Sequence, residues 1–215
     1  MRHVALRVAV LFALGLAGCA GSAGREPATE QVVVLSVAQG DIVLRFFPET
    51  APEHVKNFLW HAAHTYPGCT FHRVIPGFMI QGGDPNSKDD DPANDGMGGD
   101  SYLGEGTTLP PEFSARRHRR GILSMARATD PASAGSQFFI MHGEAPQLDG
   151  QYSVFGEVID GIEVVDAIAN VVRDDRDRPV ENQTILAARV EDWPTAKVEA
   201  VKEEMTAADP AAPRF

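Results

Sequence analysis

The sequence of 215 residues predicts a mainly β fold, a barrel or sandwich with two helices at its ends. Two observations point there. Short runs rich in Val, Ile, Leu and Phe recur along the chain, bounded by Gly, Pro, Asp and Asn. Only two segments space their apolar residues as a helix does. No internal repeat is present.

In order, QVVVLSV (31–37) and DIVLRFF (41–47) flank Ala38-Gln39-Gly40-Asp41 and read as a hairpin. TAPEHVKNFLWHAAHT follows, with Val55, Phe58, Leu59 and Ala62 at helical spacing, and predicts a helix over about residues 51–64. Thr50 and Glu53 make a capping-box pattern, with Pro52 in the first turn. Residues 69–83 predict two short strands around Pro76-Gly77. Residues 84–114, rich in Gly, Asp and Pro, read as a long acidic surface loop, of a length that points to function or mobility. GILSMAR, SQFFIMH and YSVFGEVI are strands. DGIEVVDAIAN is the second helix, with Asp160 as N-cap and Glu163 three residues on. TILAARVEDW closes the domain as a strand, and residues 193–215 read as a loosely attached tail.

The chain begins with MRHVALR and the apolar run VAVLFALGLA, the pattern of a secretory leader too short to span a bilayer comfortably. The run ends in LAGC, which resembles a bacterial lipobox with Cys19 as the lipidated residue. Residues 1–18 are then a lipoprotein signal peptide, 19–30 a lipidated cysteine and flexible tether, and 31–192 the folded domain. Ala20 carries no inner-membrane retention signal, so a lipid-anchored protein of the cell envelope is expected, at the outer membrane where there is one.

The formal charge is -11, and loss of the leader would leave 17 basic against 30 acidic residues, or -13. That excludes a nucleic-acid partner, which needs a basic face. The two cysteines, Cys19 and Cys69, cannot form a disulfide framework or a CxxC metal site, and Cys69 reads as a small buried filler. His61 and His64 have a possible ligand spacing on a helix, but two ligands rarely make a site. An EF-hand alignment of the acidic loop on Gly96 puts Ala93 and Tyr102 at ligand positions and fails. No metal and no cofactor is expected. GxSxG, Walker, HExxH and GxGxxG patterns are absent.

The informative stretch is FHRVIPGFMIQGGD (71–84), with one arginine and one glutamine among apolar residues and no evident nucleophile. Together with GILSMARA (121–128), GSQFFI (135–140) and LDGQYSVFGEV (148–158), in that order, it resembles the cyclophilin family of peptidyl-prolyl isomerases over about residues 31–192. The resemblance implies a closed eight-stranded antiparallel β-barrel capped by two helices.

It also implies a chemistry that suits these residues. Rotation about an X–Pro bond faces a barrier of about 18–20 kcal/mol but breaks no covalent bond. The twisted bond returns a lone pair to the prolyl nitrogen, and a donor aimed at it binds the transition state better than either planar form. By resemblance Arg73 is that donor and Gln81 holds it. Phe78, Met79, Phe139 and Leu148 form the proline pocket. His72, Gln137 and Tyr152 line the groove, and Ala126 and Arg127 meet the substrate through their main chain. Three positions depart from the best-known eukaryotic members. Gln147 replaces a tryptophan, which argues against strong cyclosporin binding; Tyr152 replaces a histidine, and Arg127 a smaller polar residue. The expected partners are proline-containing segments of exported proteins, and a monomer is expected. A rival reading, a proline-binding module without essential catalysis, would be expected to lose the arginine or part of the pocket, and both are kept here.

Overall fold

The computed structural model describes residues 28–209. The leader, Cys19 and nearly all of the tether lie outside the described residues, as does the end of the tail. Among the described residues no helix is long and apolar enough to cross a membrane.

Eight strands form one antiparallel sheet: β1 (Thr29–Val37), β2 (Gly40–Phe46), β3 (Arg73–Ile75), β4 (Met79–Gly82), β5 (Ile122–Met125), β6 (Phe138–Met141), β7 (Val154–Asp160) and β8 (Ala187–Pro194). Their order is β3-β4-β6-β5-β7-β2-β1-β8. Each expected strand is present. The expected closed ladder is not: β3 and β8 are edges. β3 has only three residues, and the chain just ahead of it meets the chain just ahead of β8 through a single bridge, Thr70 to Thr184. Backbone hydrogen bonds from Gly68 to Ile185, Ile185 to Cys69 and Phe71 to Gln183 flank that bridge. The two ends of the sheet are therefore joined by irregular chain rather than by a ladder.

Side chains alternate across the strands. Val33, Leu35, Ile42, Leu44 and Phe155 point into the main core, with Phe58 and Tyr66 from the first helix and its exit. α1 (Pro52–His64) forms close to where its periodicity places it. Its cap differs from the expected Thr50 capping box. Ala51 is the N-cap and offers no side-chain bond; the free N–H groups of Glu53 and His54 donate instead to the carboxylate of Glu112, at 3.2 and 3.0 Å. A charged acceptor from the long loop satisfies donors that a local hydroxyl would otherwise have taken. α2 (Ile162–Ala169) likewise starts at Gly161, φ +79, because Asp160 is still the last residue of β7.

The tail expectation fails over 195–208, which is a third helix, α3. It lies on the outer face of the sheet. Val198 packs there with Val32, Val34, Val43, Ile159 and Trp193. Lys202 reaches the fully buried Glu157 at 2.6 Å, and Arg45 reaches the same carboxylate at 2.8 Å. Cys69 is the buried filler expected, its thiol pushed up to about 11 by burial.

Four histidines, His54, His61, His72 and His118, are buried, and burial pulls each below the usual imidazole range, His61 to about 4. A depressed folded-state pKa favours the neutral ring. The stability it contributes is fully present above pH 6.5 and is lost as pH falls toward 4. For His61 alone that is about 3 kcal/mol. Melting scans should show the midpoint falling steadily over this window, and falling less in His61→Gln. A profile identical in the two proteins would remove His61 from the account.

Candidate active site

The turn Ile75-Pro76-Gly77-Phe78 organises the informative stretch. Phe78 N–H donates to the Ile75 carbonyl at 3.0 Å, proline fixes the second position, and Gly77 supplies the positive φ, +77, that the third requires. The turn sets the register, placing Arg73 opposite Gln81, Val74 opposite Ile80 and Ile75 opposite Met79. Alternation then sends Val74 and Ile80 into the core and Arg73, Ile75, Met79 and Gln81 to the outer face. The lone guanidinium among apolar residues is thus a strand residue facing outward. β6 adds Phe139 opposite Gln81 and Met141 opposite Met79.

A cavity of about 120 Å³ opens on this face. It is lined by Arg73, Phe78, Met79, Gln81, Ala126, Arg127, Phe139, Leu148 and Tyr152, nine of the eleven residues expected at the site. Drug-sized ligand sites run to roughly 300–1,000 Å³; this one has room for a single small ring. Its apolar wall belongs to a second cluster, separate from the main core, in which Met79 and Phe139 are buried and Phe78, Leu148 and Tyr152 pack against them. Phe139 and Tyr152 meet edge to face at 5.8 Å. Leu148 is presented by a short 3-10 turn, Pro146–Leu148, which also carries the exposed Gln147.

The polar side is a chain of amides. Arg73 Nη1 donates to Gln81 Oε1 at 3.5 Å, and Gln81 Nε2 to Gln137 Oε1 at 3.0 Å. Gln137 Nε2 donates to the carbonyls of Gly96 and Gly98, at 3.0 and 2.7 Å. The acidic loop is thereby tied to the arginine, and Asp84 pins it again by accepting from Asn86 and Gly98. Gln137 lies outside the first cavity and lines a second, of about 230 Å³, with Gln81, Ala126, Arg127 and the loop residues Gly96, Met97, Gly98 and Gly99. Gly135 is required there, since a Cβ on it would strike the Gly99 carbonyl.

His72 is the exception among the expected residues. Its ring is buried beneath Gly96 and lines neither cavity. Asp84 and Asp95 pull against the burial that lowers its pKa.

The sequence reading missed what supports the pocket. His118 is buried behind Phe139, stacked at 6.1 Å, and bridges Asp149 Oδ1 at 3.1 Å and Ser124 Oγ at 3.0 Å. Asp149 also accepts from the His118 backbone N–H at 2.7 Å, which fixes the turn that carries Leu148. In ARRHRRG the histidine sits in a basic run that reads as solvated surface. Only the sheet reveals that this ring turns inward.

The family model for cyclophilin type peptidyl-prolyl cis-trans isomerases matches residues 32–190. A probable peptidyl-prolyl cis-trans isomerase of Brucella abortus is 42% identical over 171 residues, covering 76% of this chain and 83% of that protein. The peptidyl-prolyl cis-trans isomerase-like 3 of Dictyostelium discoideum is 43% identical over 157 residues, covering 72% of this chain and 91% of its own. Among solved structures, a Cryptosporidium parvum cyclophilin type isomerase superposes with a TM-score of 0.69 at 35% identity, over 78% of this chain and 100% of that one. The same protein crystallised in the presence of the dipeptide Ala-Pro gives 0.68 at 36% identity, over 74% of this chain and 98% of that one. Motif, fold and relatives agree: the chain belongs to the cyclophilin-type peptidyl-prolyl cis-trans isomerases.

Proposed function

We propose that Arg73 is the group that stabilises the twisted prolyl bond, and that the protein assists the folding of exported polypeptides at the cell envelope. The observation that carries the catalytic part is the shared cavity: a guanidinium and an apolar pocket for one small ring face the same space. The ring of a bound proline would pack on Phe78, Met79, Phe139 and Leu148, with Tyr152 at the edge. Arg73 would then stand beside the prolyl nitrogen, its orientation supported by the Gln81 amide. A guanidinium stays charged at all relevant pH values and needs no proton transfer to act. That the Cryptosporidium parvum relative was crystallised in the presence of the dipeptide Ala-Pro is in keeping with a proline-containing ligand.

The envelope part rests on the leader pattern and LAGC at the start of the chain. Uncatalysed prolyl isomerisation takes tens to hundreds of seconds, long enough to limit folding after export. A catalyst held there by lipid on Cys19 needs no ATP to act.

Exchange NMR on an Ala-Pro peptide tests the catalytic part. Protein beginning at residue 20 is expected to make the cis and trans resonances exchange at substoichiometric concentration. Shifted peptide resonances without exchange would mean a groove that binds and does not catalyse.

A further inference from the structure

Arg127 lines both cavities, and its side chain does more than the main-chain role its position implies. Its guanidinium lies over the Tyr152 ring, 4.4 Å from the centroid. Nη1 donates to the carbonyls of Ala128 and Thr129 at 2.8 and 3.3 Å, and Nη2 to that of Gln151 at 3.0 Å. These bonds brace two loops that form one wall of the groove. They use neutral acceptors, so the positive charge is left uncompensated, and a second N–H on Nη2 remains.

The surroundings sharpen this. Among the described residues no aspartate or glutamate lines either cavity, in a chain with 30 acids and 19 bases. The charged residues lining them, among those described, are Arg73 and Arg127. Among the described residues neither forms a salt bridge, whereas Arg45, Arg116, Arg120, Arg173, Arg178 and Arg189 each do. Asp130, in the same loop as Arg127, turns its carboxylate to the Ala132 N–H at 2.9 Å. A peptide in the groove therefore meets two cations and no lining anion.

We infer that Arg127 is a specificity-determining residue, and that the groove favours prolyl bonds flanked by an acidic side chain over those flanked by a basic one. The inference rests on the isomerase reading of the groove. Arg73 is held by the reaction itself; Arg127, at the junction of the two cavities, is placed to meet a residue next to the proline. The acidic surface of the rest of the chain works against long-range attraction of acidic peptides, so the preference is local and belongs to the bound complex.

The test is a matched set of peptides with Ala, Glu or Lys on either side of one proline, turned over by the full-length protein. At low ionic strength kcat/KM for the better Glu peptide is expected to exceed that for its Lys counterpart by about tenfold, since one sign is attracted and the other repelled. The ratio should shrink in high salt. Arg127→Gln should bring it near unity, whereas Arg127→Lys, which keeps the charge without the fork, should retain most of it. Both variants loosen the brace on Tyr152, so the absolute rate on the Ala peptide is expected to fall, and the ratio is the deciding readout. Equal rates on Glu and Lys peptides, with the Ala peptide turned over normally, would overturn the inference and leave the isomerase reading standing. An undiminished ratio in Arg127→Gln would overturn the role of Arg127. No turnover of any peptide would sink the isomerase reading itself.

Discussion

Arg73→Ala is expected to lower kcat/KM on an Ala-Pro peptide by about 10²–10³-fold, the loss usual when one preorganised donor to a transition state is removed. The melting temperature should stay within about 2 °C of wild type, because surface substitutions away from buried features fall within about ±0.5 kcal/mol. Arg73 is exposed at the end of β3, and among the described residues its side chain makes only the long bond to Gln81. Stability and catalysis are expected to separate at this residue, since it lines the groove cavity and the core beneath it is closed by Val74 and Ile80. Arg73→Lys keeps the charge but loses the rigid fork, and is expected to recover only a small part of the rate. A folded Arg73→Ala protein with wild-type turnover would show that the bond is twisted by other groups.

Truncation after Pro194 is expected to cost about 5 kcal/mol, and so to lower the melting temperature by about 10–20 °C for a chain of this length. Two losses combine. Val198 and Met205 leave the positions they bury, and Val32, Val34, Val43 and Ile159 become wet on the outer face. Glu157, with no exposure, loses Lys202 and keeps Arg45. Burial already pushes its carboxyl up against the pull of those two cations, so removing one leaves a poorly compensated buried charge. Lys202→Met isolates the second loss, since it keeps most of the apolar stem. It is expected to cost less than the truncation but well over 1 kcal/mol. If the truncated chain melts within 2 °C of the whole one, α3 is an ornament on a self-sufficient sheet.

That helix shows where reading the sequence stopped short. Its own residues, TAKVEAVKEEMTAA, carry just two buried side chains over four turns, so the apolar stripe that signals an amphipathic helix is faint. The signal lay elsewhere, in the unbroken VVVL of β1. A strand with one wet face alternates; one that stays apolar at successive positions is covered on both faces. Val33 and Leu35 face the core while Val32 and Val34 need a cover, and α3 supplies it. The capping error has a similar cause. Thr50 and Glu53 satisfy the local pattern, but Glu112, fifty-eight residues beyond His54, brings a full charge to the helix start and displaces the hydroxyl.

The candidate site was legible through the family resemblance of its motif stretches, and the structure gives the local logic behind them. Pro76-Gly77 sets a turn, the turn sets a register, and the register puts Arg73 beside Gln81 on a face shared with Met79. Those steps need only turn geometry and a period of two, and a sequence states both. The proline-pocket residues Phe78, Met79, Phe139 and Leu148 were named through the family resemblance instead, since Phe78 lies in a turn and Leu148 in a 3-10 turn, where no strand alternation points to them. His72 was misplaced, because what lies over it is Gly96 of a loop with no periodicity to read.

Short-range periodicity and turn chemistry were enough for the eight strands and two of the helices, while the arginine and the apolar wall of its pocket were named through the family resemblance of the motif stretches. Tertiary structure alone decided that the sheet keeps two edges, that a third helix seals its outer face, that His118 and Asp149 support the pocket from behind, and that Arg127 closes over Tyr152. Each of these depends on which distant residue reaches a buried charge, an open backbone donor or an aromatic face first. That competition is settled by packing in three dimensions, and no local pattern records its outcome.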